Sequence, residues 1–208
     1  MPPTRPPAGP HAPLLRMTDV SHKFDGRTIL AGLSLTLTPG DVMVVTGANG
    51  AGKSTLLRIA AGLLKPTSGG AERGGGMTGY AAPDLQPWSE LSARENLDFL
   101  ARIRGCADAG REAIKWLEAA GFPAVHLPTP AATLSTGQRQ RLKLAMAWLG
   151  RPTLLILDEP GSNLDDEGRS LVARLIGEAR CDGAVLLATN DSAEAALGGR
   201  HLELRVLD

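Results

Sequence analysis

A chain of 208 residues has room for one domain with a full hydrophobic core and a subdomain. Its 22 basic and 22 acidic side chains cancel, which argues against a broad electrostatic footprint for nucleic acid or anionic lipid and leaves protein partners open. No apolar run approaches the ~20 residues of a membrane span. The two cysteines, Cys106 and Cys181, have neither metal nor redox spacing and read as reduced thiols of a cytosolic protein.

In chain order, Met1 to Pro13 holds six prolines and no apolar core stretch. It reads as a disordered, polyproline-like tail and not as a secretory signal. From Leu14 to Leu37 the apolar residues tend to alternate, with Leu33, Leu35 and Leu37 separated by Ser34 and Thr36, the periodicity of strands with one wet face. Three later runs, Val42 to Val45, Leu154 to Leu157 and Ala184 to Ala188, are almost unbroken in apolar residues and suit a parallel sheet covered on both faces. Helical patterns separate them, so the class is α/β. Leu91 to Gly150 reads as helix: Glu95, Leu97, Phe99 and Leu100 begin it, and Ile114, Leu117 and Glu118 carry it to Gly121 and Pro123. Lying between core strands, this block is expected to project as a helical subdomain over about 88–150. The domain as a whole is expected over 14–208.

Gly47-Ala48-Asn49-Gly50-Ala51-Gly52-Lys53-Ser54-Thr55 fits G-x-x-x-x-G-K-[ST]. Its glycines let backbone N–H groups turn inward on an anion. Lys53 adds a point charge for the outer phosphates, and the Ser54 hydroxyl can bind Mg²⁺. The apolar run before it and the helical spacing of Leu56, Leu57 and Ala60 after it give strand, loop and helix, the arrangement that aims a helix N-terminus at phosphate.

Leu154 to Glu159 is a buried strand that ends in two carboxylates. Asp158 can hold Mg²⁺ opposite Ser54, and Glu159 can accept the proton of an attacking water. As an alternative, the pair caps the next helix after Pro160. Leu134-Ser135-Thr136-Gly137-Gln138 opens another helix, with Leu142, Ala145, Met146 and Leu149 on its apolar face and S-x-x-Q capping-box spacing. A capped helix and a phosphate-binding first turn are both compatible with that spacing.

The ordered set Gly47–Thr55, Leu134–Gln138, Leu154–Glu159, Ser162-Asn163-Leu164-Asp165 and Leu187-Ala188-Thr189-Asn190-Asp191 closely resembles the ATP-binding cassette (ABC) family, from about Leu14 to the C-terminus. The resemblance implies a P-loop NTPase core, an N-terminal antiparallel β subdomain and an inserted helical subdomain. It further implies a head-to-tail dimer that sandwiches two ATP molecules with Mg²⁺. Each site would join the phosphate loop of one copy to Ser135, Gly137 and Gln138 of the other. Phe24 matches the aromatic that stacks on adenine, and Ser162 to Asp165 matches the loop that links the two sites.

Two positions depart from the family. Asn190 stands where a γ-phosphate-sensing histidine is usual; asparagine donates a hydrogen bond but carries no charge, so slow hydrolysis, or hydrolysis leaning more on Glu159, is expected. The metal-sensing glutamine expected after Tyr80 falls by spacing near Pro83 or Asp84. Asp84 is a candidate for the metal, and Gln86 a candidate replacement. Gly69 to Met77 is short for the family, so part of the antiparallel subdomain is expected to be trimmed.

The reading is an ATPase subunit, peripheral on the cytoplasmic face, of a transporter whose membrane-spanning subunits are separate chains. It pairs with a second copy or a homologue and binds no nucleic acid. The chain ends 18 residues after Asn190 (208 − 190), which leaves no room for a regulatory C-terminal domain in this reading. Compactness, Gly47 to Gly50 and Leu56-Leu57-Arg58 are similar to the ATP-binding subunits of haem exporters in cytochrome c maturation, features that small multidrug and lipid exporters share. Two other readings are a soluble ABC ATPase acting on ribosomes or DNA and a regulatory subunit that barely hydrolyses.

Overall fold

A computed structural model describes residues 12–207; most of the proline-rich stretch lies outside them. Strands β1 (Leu15–Phe24) and β2 (Arg27–Leu37) form a hairpin, and β4 (Ser68–Arg73) pairs antiparallel with the other edge of β1. Asp25 and Gly26 turn the hairpin with φ of +47° and +82°, the two positive values that a two-residue turn matched to strand twist requires. The alternation of Leu33, Leu35 and Leu37 therefore marks a real strand.

The second sheet has five parallel strands in the order β5-β6-β7-β3-β8: β5 (Thr78–Ala81), β6 (Leu154–Asp158), β7 (Ala184–Ala188), β3 (Val42–Gly47) and β8 (Arg200–Leu204). The three apolar runs are its three central strands. Met43, Val45, Ile156 and Leu186 pack on one face with Leu56, Leu57 and Ile59 of α1 (Lys53–Ala61). Val44, Leu155, Leu157 and Leu187 pack on the other with Leu171, Val172 and Leu175 of α5 (Asp166–Asp182). Burial on both faces explains why those runs lack alternation.

The stretch 91–150 is not continuous helix. It divides into α2 (Ala93–Ile103), α3 (Ala109–Ala119), two 3₁₀ turns and α4 (Thr136–Trp148). Gly105 (φ +68°) and Gly121 (φ +75°) follow the ends of α2 and α3. Leu97, Leu117, Phe122 and Leu142 fill a core of its own, as a subdomain requires. Fully burying each such side chain contributes roughly 1.5–3 kcal/mol. Asn96, wholly buried, donates from its side chain to the carbonyls of Trp88, Leu91 and Ser92 and so fixes the entry to α2. The last helix, α6 (Ser192–Ala195), follows β7. Among the described residues no helix is long and apolar enough to cross a membrane.

Candidate active site

Neighbouring strands β6, β7 and β3 deliver three loops to one edge of the sheet, the C-terminal edge where ligands bind in open parallel sheets. The loop after β3 is the phosphate loop. Its backbone approaches so closely that a Cβ at Gly47 (φ +144°) would collide with the Leu204 carbonyl, and one at Gly52 (φ +96°) would meet Leu30 at 2.9 Å. Gly52 caps α1 without a side-chain hydrogen bond. The free N–H groups of the first turn are thus left for an anion. Lys53 is buried, and its Nζ donates to the Gly47 carbonyl at 2.7 Å. A cavity of about 320 Å³ runs over the loop, lined by Phe24, Ile29, Asn49, Lys53, Ser54, Asp158 and Glu159 among others. Phe24, at the hairpin end of β1, is 45% exposed and packs edge-on against His22. An exposed ring at the cavity wall suits a flat base.

The last residue of β6 and the first residue after it are the two carboxylates, Asp158 and Glu159. Asp158 is 3% exposed, and its Oδ2 has no hydrogen-bond partner. Burial pushes its carboxyl pKa up, against the pull of the Ser54 hydroxyl and Lys53. An orphaned buried carboxylate oxygen facing a hydroxyl is a donor set of the kind a hard divalent cation takes, so the residues present fit Mg²⁺. Glu159 holds φ at +48°, a left-handed conformation that costs a non-glycine residue energy and recurs at functional sites. Its N–H donates to the Ala188 carbonyl at 2.8 Å, which aims the half-buried side chain into the cavity. Burial raises its pKa, while the Asn190 backbone N–H and Lys53 lower it.

The loop after β7 places Asn190 against the phosphate loop. Its Oδ1 accepts from Lys53 Nζ at 3.3 Å, and its Nδ2 donates to Asn49 Oδ1 at 3.3 Å. Thr189, wholly buried, donates to the Glu194 carboxylate and accepts from the Asp191 N–H at 3.0 Å, so the turn that presents Asn190 is braced from below.

Other candidates lie elsewhere. Asp84 pairs with Arg58 at 2.9 Å on the surface; Pro83, not Asp84, lines the cavity. Gln86 donates to the Pro83 carbonyl at 2.6 Å. Ser135 and Gln138 form a complete capping box on α4. Among the described residues, Ser135, Gly137 and Gln138 do not line this chain's own phosphate cavity. Two residues absent from the sequence reading emerge on α4, Gln140 and Arg141, both buried and bonded to the loop that follows Glu159. Their spacing from Gly137, three and four residues, is the only trace of this in the sequence.

Residues 30–162 match the ABC transporter family model. The chain belongs to the ABC transporter family. It is an ATP-binding subunit of that family and an ATPase. Relatives from the family span both transport directions by name. The chain is 34% identical to the cytochrome c biogenesis ATP-binding export protein CcmA of Pseudomonas savastanoi pv. phaseolicola, over 94% of this chain and 97% of that protein. It is 37% identical to the zinc import ATP-binding protein ZnuC of Halorhodospira halophila, over 86% of this chain and 69% of that one. It is also 37% identical to the aliphatic sulfonates import ATP-binding protein SsuB 2 of Burkholderia cenocepacia, over 98% and 78%. The fold superposes with a TM-score of 0.83 on a dimeric ATP-binding cassette in a post-hydrolysis state bound to ADP and Pi, 21% identical, over 93% of this chain and 97% of that one.

Proposed function

We propose that this ABC ATPase powers export through membrane-spanning subunits on separate chains, at the cytoplasmic face of the membrane, and that the cargo is haem for cytochrome c maturation. The match through 97% of a cytochrome c biogenesis export protein carries the export reading; the match to the Halorhodospira zinc import protein stops at 69% of its length. Two copies close head to tail on two ATP molecules. The phosphate loop and Phe24 of one copy bind each nucleotide, and Ser135, Gly137 and Gln138 of the second copy complete the site from the other side.

Within a site, Lys53 turns its charge from the Gly47 carbonyl to the outer phosphates, beside the free N–H groups of α1. Glu159 accepts the proton of the attacking water, and Asn190 meets the γ-phosphate with its amide. Ser54 and Asp158 would hold Mg²⁺, which supplies charge stabilisation on the phosphate oxygens. Asp84 joins them only by giving up Arg58.

The membrane partner docks in a groove of about 220 Å³ lined by Tyr80, Leu85, Trp88, Leu100, Arg104 and Met146 among others. Trp88 lines it. Leu91, three residues on, does not: its carbonyl accepts from Ala131 N–H and Asn96.

The test is purification of the tagged chain with its membrane partner, followed by ATPase and haem-transport assays on the complex. Haem-stimulated turnover supports the proposal. A metal or sulfonate importer as partner overturns export, and recovery on ribosomes or DNA overturns the transporter reading.

A further inference from the structure

Glu194 is a buried acid with no part in the reaction scheme proposed for ATP. It is 5% exposed. Burial raises its pKa, the Thr189 hydroxyl and the Gly161 N–H pull it down, and the negative charges of Asp191 and Glu159 push it further up. Among the described residues no lysine or arginine forms an ion pair with it. Its backbone is fixed from both sides. Asp191 Oδ1 caps α6 by accepting from the Ala193 and Glu194 N–H groups at 2.8 and 3.1 Å, and Arg169 of α5 donates to Asp191 Oδ2 at 2.8 Å.

Each carboxylate oxygen faces a different loop. Oε2 accepts from the wholly buried Thr189 hydroxyl at 2.5 Å, and Thr189 immediately precedes Asn190. Oε1 lies so close to Gly161 that a Cβ there would collide with it, and the Gly161 N–H acts on the carboxylate as a hydrogen-bond donor. Gly161 sits inside the turn that Glu159 opens, in which the Glu159 carbonyl accepts from the Ser162 N–H at 3.2 Å. Stability alone would not select an acid here, since an apolar residue fills the same space without the desolvation cost of a buried carboxylate. A carboxylate, with two acceptor oxygens and no donor, can take one donor from each of two loops. An apolar side chain can take neither.

We infer that Glu194 is a positioning residue that locks the loop following Glu159 to the loop bearing Asn190, and so sets the proton acceptor and the γ-phosphate contact relative to each other. The inference rests on the proposed roles of Glu159 and Asn190. The bond from the Glu159 N–H to the Ala188 carbonyl holds the two strand ends together; Glu194 holds the loops beyond them. Both groups must meet one phosphate, and a misplacement of about 1 Å can cost about 10²-fold in rate. The contacts that shape the phosphate loop run through Gly47, Lys53 and Leu204 and not through Glu194. Loss of the lock therefore slows turnover and leaves ATP affinity alone.

The experiment is turnover against ATP concentration, with direct ATP titration and thermal melting, for the full chain, alone or with its membrane partner. The set is wild type, Glu194→Ala, Glu194→Gln, Thr189→Val, Gly161→Ala and the Gly161→Ala/Glu194→Ala pair. Glu194→Ala and Gly161→Ala should each lower kcat by up to about 10²-fold with KM and ATP affinity unchanged. Glu194→Gln keeps one acceptor oxygen and should lie between Glu194→Ala and wild type. The pair should be no slower than Glu194→Ala, because the added methyl then has no carboxylate to displace. Thr189→Val keeps the side-chain shape and cuts the lock from the Asn190 side, so it tests the inference should the Glu194 variants fail to fold. Wild-type kcat in the folded variants, or kcat and ATP affinity falling together with melting temperature, overturns it. Glu159→Gln tests the reading beneath: wild-type turnover there would mean that the base lies elsewhere, whereas an inactive Glu159→Gln beside fully active Glu194 variants sinks the lock alone.

Discussion

The side-chain oxygen of Asn190 accepts a hydrogen bond from Lys53 Nζ at 3.3 Å, while the amide nitrogen is held by Asn49. The residue that stands where the resemblance expects a histidine is thus in contact with Lys53 of the glycine-rich loop. It can still offer its amide to the γ-phosphate, though only by leaving Asn49, and it offers no charge. Asn190→His is expected to raise steady-state turnover. One well-aimed transition-state contact is worth up to ~10²-fold, by analogy with loss of a single oxyanion donor. Asn190→Ala should be slower than wild type. Equal rates in all three would remove Asn190 from the phosphate; a histidine variant slower than wild type would show a site adapted to asparagine.

Lys53→Ala should abolish ATP binding at working concentrations. The change deletes the only formal positive charge in the loop and the clamp on the Gly47 carbonyl. A charge-assisted contact of this kind is worth roughly 1.5–3 kcal/mol or more. Direct titration with nucleotide measures it, and unchanged affinity would place the phosphates elsewhere.

Glu159→Gln should bind ATP and stop turnover, because the amide keeps the shape but cannot take a proton. The pH dependence has a definite sign. Burial raises the Glu159 pKa, and a carboxyl is protonated, hence useless as a base, below its folded-state pKa. Wild-type kcat should therefore fall on acidification at a pH above the ordinary glutamate value, with the limb of the profile absent from the residual activity of Glu159→Gln. A variant as fast as wild type would mean that another group is the base.

Asp158→Asn should stabilise the nucleotide-free protein while removing Mg²⁺-dependent turnover. The folded state raises the Asp158 pKa through burial, so ionisation costs stability above the unfolded-state pKa and not below it. The gain should accordingly appear at neutral pH and vanish as the medium becomes more acidic than the ordinary aspartate pKa. A rise of roughly 2–4 °C in melting temperature corresponds to about 1 kcal/mol in a chain of this size. A fall at neutral pH would mean that the carboxylate is compensated in a way the geometry does not reveal.

Trp88 is 42% exposed, and its ring meets Phe99 edge-on at 4.9 Å. Trp88→Ala should leave the melting temperature of the isolated subunit almost unchanged and uncouple ATPase activity from the membrane partner, as loss of an aromatic interface anchor does. A drop of several degrees with coupling intact would instead make Trp88 part of the subdomain core.

The central strands, the phosphate loop and α1 were legible because each rests on local signals: an apolar run, a glycine pattern, a helical repeat. The two outer strands were not. Thr78–Ala81 is four residues long, and Arg200–Leu204 alternates polar residues on the exposed edge of its sheet, so neither shows a run. The block from 91 to 150 looked continuous because helical periodicity resumes after each break, and the positive φ of Gly105 and Gly121 is a tertiary outcome. At the site, Glu159 and Asp158 followed from a strand ending in acids. Their strain and their orphaned oxygen did not, since both depend on what β7 and α1 bring alongside. Arg58 binding Asp84, and Arg141 binding Asp165, link residues 26 and 24 positions apart; no periodicity within one element encodes such pairs.

The order β6-β7-β3 has one more consequence. Hydrogen-bonded strands sit about 4.7–4.9 Å apart whatever their sequence, so the sheet works as a ruler with the acids, Asn190 and the phosphate loop on three adjacent marks. Mutation can exchange the tool carried at a mark, as at 190, but it cannot slide the marks. A chain that drifts in sequence elsewhere therefore keeps the same spacing between these three strand tips, whatever residues they carry.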